Sequence, residues 1–161
     1  VGKPQVGDSA PDFTKPWTGD GEFTLSERRG RWVILAFYPG DFTAVCTRQF
    51  CNYRDGRVHL DRLDAEVVGI SPQSVESHRR FISEHSLTVP LIADEGLAVA
   101  EAYGVKKGGF VRRAVFVIDP EGTIRHRDVK LLGLSYADGE ELAEILARAR
   151  SDSGPPSVSP S

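Results

Sequence analysis

Apolar positions along the chain fall into runs of two kinds. Trp32 to Tyr38 is an unbroken apolar and aromatic stretch of strand length, closed by the turn residues Pro39, Gly40 and Asp41. Glu66 to Ser71 and Leu91 to Ala93 are shorter runs of the same type and read as buried strands. Arg113 to Asp119 and Thr123 to Val129 are two more, and the Pro120, Glu121, Gly122 turn between them predicts a hairpin. Elsewhere the apolar residues recur at helical spacing. Behind Ser74, Ser77 to Glu84 predicts a helix that shows Val75, Phe81 and Ile82 to the core. Leu97 to Tyr103 predicts a helix closed by Gly104, and Asp138 caps a last helix that runs through Arg150. A further helix follows the Pro39 turn. Gly56 breaks its pattern and separates a first part from a second, Arg57 to Leu63. Near the N-terminus, Ala10 and Phe13 anchor a segment ending at Pro16, and Phe23 to Leu25 is a short strand, so a small hairpin is expected. Strands alternating with helices, then a hairpin and a helix, predict an α/β sandwich with a mixed central sheet.

Composition narrows the class. A chain of 161 residues with 40% hydrophobic positions suits one domain. That domain is expected over residues 1–150, with a disordered Ser- and Pro-rich tail over 151–161. A formal charge of -3 gives no electrostatic reason for nucleic acid or an anionic membrane as partner. The pairs Arg79 with Arg80 and Lys106 with Lys107 read as solvated surface. No apolar run approaches the length of about 20 residues that crosses a bilayer, and the start of the chain lacks a signal-peptide pattern, which points to the cytoplasm. Metal binding is not expected, because the cysteines and the scattered His59, His78, His85 and His126 do not make a four-ligand set. Gly108 and Gly109 lack the context of a phosphate loop.

The chemistry concentrates in Phe37 to Asp55, which holds both cysteines. A thiol reacts as the thiolate, and a free cysteine with pKa about 8.5 is mostly protonated at neutral pH, so a reactive one needs assistance. Cys46 falls in the first turn of a helix that follows a strand, where unpaired N–H groups and the positive end of the helix dipole favour an anion. Thr43, three residues earlier, can bring a hydroxyl to the sulfur or to a small ligand. Cys51 lies five residues on. On one regular helix the two Cα atoms would be roughly 8 to 9 Å apart and point about 140° away from each other. A disulfide needs Cα atoms within about 7 Å, so the pair can bond only if the helix comes undone. That spacing fits a dithiol that cycles better than a static bridge.

Pro39, Thr43 and Cys46 match the P-x-x-x-T-x-x-C signature of peroxiredoxins, and Cys51 in C-x4-C resembles the bacterioferritin comigratory protein (Q-type) subgroup. Asn52 to Asp55, Val67 to Ser71, Ser77 to Phe81, Pro90 to Asp94, Ala102 to Val105 and Arg113 to Asp119 resemble that subgroup in order and spacing, so the likeness covers about residues 5–150. It implies a thioredoxin-like three-layer sandwich and a peroxidase that needs no cofactor. By this resemblance, the Cys46 thiolate, open to peroxide, attacks one oxygen of hydrogen peroxide or an organic hydroperoxide and becomes a sulfenic acid. Cys51 resolves it as an intramolecular disulfide, the rival being a bystander role with an external thiol as resolver. Thioredoxin or a similar dithiol then restores the pair. Thr43, the N–H groups near Val45 and Cys46, and Arg113 stabilise the leaving oxygen; Arg112 is next to Arg113, and because neighbours on a strand face opposite ways only one of the two can serve. Pro39 shields the sulfur, and Tyr38 and Phe42 wall the pocket. Gln49 departs from the glutamate that many members use to hold the arginine. The subgroup implies a monomer. A thiol-disulfide oxidoreductase is the rival enzyme, weakened by the absence of C-x-x-C. A redox sensor that captures a partner is the rival outside enzymes.

Overall fold

A computed structural model describes residues 3–55, 65–130 and 139–153. Its centre is β3 (Trp32–Phe37), whose residues from Val33 on are buried on both faces. It pairs in parallel with β4 (Ala65–Ser71) and antiparallel with β8 (Ala114–Ile118). With β5 (Leu91–Ala93) and β9 (Ile124–Val129) these form a five-stranded mixed sheet in the order β5-β4-β3-β8-β9. The alternation of a strand sorts its side chains between two layers. Val33, Leu35 and Phe37 pack with Trp17, Phe23, Val99 and Tyr103 on one face. Ile34, Ala36 and Tyr38 pack on the other with Cys46, Phe50 and Phe81 and with Leu142 and Leu146.

The first layer is built from a hairpin of β1 (Thr14–Pro16) and β2 (Glu22–Thr24) and from the short α3 (Ala98–Ala102). The second comprises α1 (Ala44–Asp55), α2 (Val75–His85) and α4 (Gly139–Ser153). Helices and hairpin thus cover both faces of the sheet, as the α/β pattern of the sequence requires.

Several boundaries differ from expectation. Arg113 and Asp119 flank β8 rather than lying in it, and the Asp119 carboxylate instead closes the turn by accepting from the N–H groups of Glu121 and Thr123. Helix α3 starts at Ala98, not Leu97, which has φ 63°. The Asp94 carboxylate takes the N–H groups of Val99 and Ala100 and so fixes the start from outside the helix. Helix α4 continues to Ser153, so residues 151–153 belong to it and not to a disordered tail. A second small hairpin, β6 (Lys106–Lys107) with β7 (Phe110–Val111), turns through Gly108 at φ 60°. On α2, Ser74 caps as expected by accepting from the Ser77 N–H. Its fully buried residues, however, are His78 and Phe81, whereas Val75 and Ile82 are half-buried. The expected break at Gly56, the helix over Arg57 to Leu63, the cap at Asp138 and the rest of the tail lie outside the described residues.

Candidate active site

The loop from Tyr38 to Thr43 carries the chain from the end of β3 into α1. The Thr43 carbonyl accepts the first helical bond, from Thr47 N–H at 2.8 Å, and the Thr43 hydroxyl donates to the Gly40 carbonyl at 3.2 Å. Cys46 is the third residue of the helix, so its sulfur sits in the turn whose N–H groups have no intrahelical acceptor. Arg113 reaches it from the entrance to β8. Its Nη2 donates to Cys46 Sγ at 3.0 Å, and its Nη1 donates to Gln49 Oε1. Gln49, one turn beyond Cys46, passes the contact on by donating from Nε2 to the Tyr53 hydroxyl at 2.8 Å. One guanidinium thus grips two successive turns of α1, and both it and the helix start stabilise negative charge formed at the sulfur.

Exposure departs from expectation. Cys46 is 0% exposed, packed in the layer that holds Tyr38, Phe50 and Tyr53, so the sulfur is covered rather than open. Thr43 and Ala44 are exposed and Val45 half-buried, which places solvent one helical turn from the sulfur. Pro39 is half-buried, and Cys51 is half-buried on the same helix. Both cysteines are free, as their spacing on one helix requires.

The two aromatics assigned to the pocket wall differ in exposure, although both rings lie near Phe81. Tyr38 is fully buried, and its hydroxyl donates to Asp41 Oδ1 at 2.7 Å; burial first, then the charge of Asp41, pushes its phenol well above the usual range. Phe42 is 39% exposed and has φ 65°; its ring lies against Phe81 at 5.1 Å and under the Arg80 guanidinium at 5.5 Å, both on α2.

Sequence reasoning missed what holds this loop. Asp41, read only as a turn residue, turns its carboxylate inward, where Ser77 Oγ donates to Oδ2 and His78 Nδ1 meets the same oxygen, each at 2.7 Å. Its N–H donates to Gln73 Oε1 at 2.9 Å. An aspartate after a buried strand and a histidine on a core-facing helical position were the available signals.

The model of the AhpC/TSA family matches residues 6–127 of the chain. The chain belongs to the AhpC/TSA family, the peroxiredoxins. A putative peroxiredoxin bcp of Coxiella burnetii is 40% identical over 129 residues, covering 74% of this chain and 85% of that protein. A peroxiredoxin of Thermoplasma volcanium is 41% identical over 128 residues, 74% of this chain but 63% of the relative, so the chain spans less than two thirds of it. Among solved structures, peroxidoxin BcpB from Mycobacterium tuberculosis superposes with a TM-score of 0.79 at 28% identity, over 92% of this chain and 97% of that one. The thioredoxin-like α/β sandwich implied by the sequence is the fold that this peroxiredoxin shares with its solved relatives.

In this peroxiredoxin a neutral glutamine stands at position 49, where many members use a glutamate to hold the arginine. The amide oxygen nonetheless accepts from Arg113, while the amide nitrogen uses Tyr53, so both ends of Gln49 are engaged. Among the described residues no helix is long and apolar enough to cross a membrane.

Proposed function

We propose that the protein is a thiol-dependent peroxidase that reduces hydrogen peroxide and small organic hydroperoxides at Cys46. The observation that carries this reading is the Arg113 guanidinium 3.0 Å from the sulfur in the first turn of α1. The Cys46 thiolate attacks the outer oxygen of the peroxide, the O–O bond breaks, and the electron pair leaves on the second oxygen, which takes a proton to become water or an alcohol. Cys46 is left as a sulfenic acid. Arg113 and the N–H groups at the head of α1 stabilise the charge that moves onto the leaving oxygen, each donor contributing about 2 to 4 kcal/mol. Because the sulfur is covered, peroxide entry requires motion of the turn that holds the exposed Thr43 and Ala44 and the half-buried Val45.

In the second step the Cys51 thiolate attacks the Cys46 sulfenic sulfur, hydroxide leaves as water, and a disulfide forms within the chain. Both cysteines sit on one unbroken helix, so this step unwinds α1. A dithiol protein such as thioredoxin then reduces the bridge by exchange. The protein works as a monomer in the cytoplasm, as one domain, without a cofactor.

Cys46→Ser abolishes peroxide consumption in this scheme. Cys51→Ser keeps one fast turnover in stopped-flow and loses thioredoxin-driven cycling. Full turnover by both variants would refute the assignment.

A further inference from the structure

A buried polar cluster lies under the loop that leads to the sulfur. His78 and Asp41 have side-chain exposures of 0% and 1%, and their Nδ1 and Oδ2 atoms are 2.7 Å apart. The other ring nitrogen of His78 lies 2.9 Å from the Ile92 carbonyl oxygen, which can only accept, so Nε2 carries hydrogen and the ring is fastened to β5. The Asp41 carboxylate also receives the hydroxyls of Tyr38 and Ser77, and the Asp41 N–H goes to Gln73, whose Oε1 takes the Ser71 hydroxyl as well. Three side-chain partners thus fix one carboxylate in one orientation, beside an otherwise apolar layer.

Such a cluster is a poor device for stability alone, since apolar side chains of similar volume serve as well or better in a core. What it supplies is direction. Asp41 precedes Phe42, a non-glycine residue with φ 65°, a conformation that persists only where the surroundings impose it. Those surroundings are α2: Ser77 and His78 hold the residue before, and Phe81 with Arg80 hold the Phe42 ring. The next residue is Thr43, whose carbonyl starts α1 and whose hydroxyl is tied to Gly40. The sulfur lies three residues further on.

We propose that His78 is a positioning residue for Cys46. Through Asp41 it holds the loop in the strained form that sets where α1 begins, and so sets the sulfur against Arg113. This rests on the reading of Cys46 as the thiol that meets peroxide.

The test compares H78A, H78N and D41N with the unmodified protein, by stopped-flow with hydrogen peroxide at a temperature where circular dichroism shows every variant folded. H78A and D41N lower the second-order rate roughly ten- to a hundredfold, the scale of a displacement of about 1 Å at a reacting group. H78N keeps an N–H facing Asp41 where Nδ1 stood and restores most of the rate. A purely space-filling histidine would give no such rescue, so H78A and H78N equally slow overturn the proposal. So does a folded H78A that reacts like the unmodified protein. If H78A does not fold, D41N decides against H78N: a slow D41N beside a fast H78N upholds the proposal, and a D41N as fast as the unmodified protein overturns it. If the unmodified protein is itself inert to peroxide, the functional reading falls, and the amide resonances of Phe42 to Cys46 decide about positioning. Resonances moved by H78A and D41N but left in place by H78N uphold it, and unmoved ones overturn it.

Discussion

At the scale of single residues the site turns on Arg113, which spans Cys46 and Gln49 with two nitrogens of one planar group. Lysine offers one point charge and cannot serve both partners. R113A is expected to lower the rate of Cys46 oxidation about 10²- to 10³-fold, as for loss of one preorganised donor, and R113K to recover only part of it. Single-turnover stopped-flow measures both; an R113A rate near that of the unmodified protein would remove the arginine from the chemistry. This part of the site was legible in the chain because few residue types can do such work and their spacing around a strand and a helix start is distinctive. The Asp41 and His78 pair was not. Its members are 37 positions apart, and each alone has an ordinary explanation, a turn aspartate and a helical histidine. Only the fold makes them one object. The burial of the sulfur was equally hidden, because a helix start reads as surface until Tyr38 and Phe50 are seen to pack around it.

At the scale of elements, α1 is well packed, and the proposed cycle requires it also to unwind. Its packing is set by Phe50, between the two cysteines, whose ring lies across Gly69 of β4. A methyl group on Gly69 would come within 2.8 Å of that ring and 2.7 Å of Leu91 Cδ2. G69A therefore overpacks the layer and is expected to destabilise by about 1 to 3 kcal/mol in urea unfolding; an unchanged midpoint would show that Phe50 yields freely. Unwinding has its own signature. If Cys46 and Cys51 bond, the hydrogen bonds of α1 are lost, and amide exchange over residues 44–55 speeds up after one equivalent of peroxide. C51S, oxidised only to the sulfenic acid, should stay protected, and equal exchange in both forms would detach helix opening from disulfide formation. The strands were readable from their apolar runs and turns. The start of α3 was not, because it depends on the Asp94 carboxylate reaching Val99 and Ala100, and the hairpin at Lys106 to Val111 carries too few apolar residues to show a period.

At the scale of the molecule, the sandwich buries tyrosines on both sides of its sheet, and two of them bear on its behaviour in alkali. Tyr38 lies in the layer with Cys46, and Tyr103 lies in the opposite layer, donating its hydroxyl to the Pro11 carbonyl at 2.7 Å. That two-layer arrangement could be anticipated from the alternation of strands and helices; which polar tips would be buried in it could not, since a tyrosine in an apolar run looks the same with its hydroxyl in or out. Burial raises both phenols above the ordinary tyrosine range, and nearby carboxylates, Asp41 for Tyr38 and Asp12 for Tyr103, push the same way. A folded-state pKa raised above the unfolded value means that the unfolded chain loses protons first as the solution becomes alkaline. The stabilisation is therefore complete below the unfolded pKa of about 10 and is lost as pH rises from there toward the folded values. Each phenol contributes a slope of up to about 1.4 kcal/mol per pH unit in that window. Urea unfolding across the alkaline range should show the folding free energy falling from about pH 10 upward, with Y38F and Y103F each removing part of the slope. The ultraviolet tyrosinate signal of these two residues should emerge only as the protein unfolds. If Tyr38 ionises while the chain is still folded, the hydrogen bond to Asp41 does not hold it, and the polar cluster beneath the loop is looser than its geometry requires.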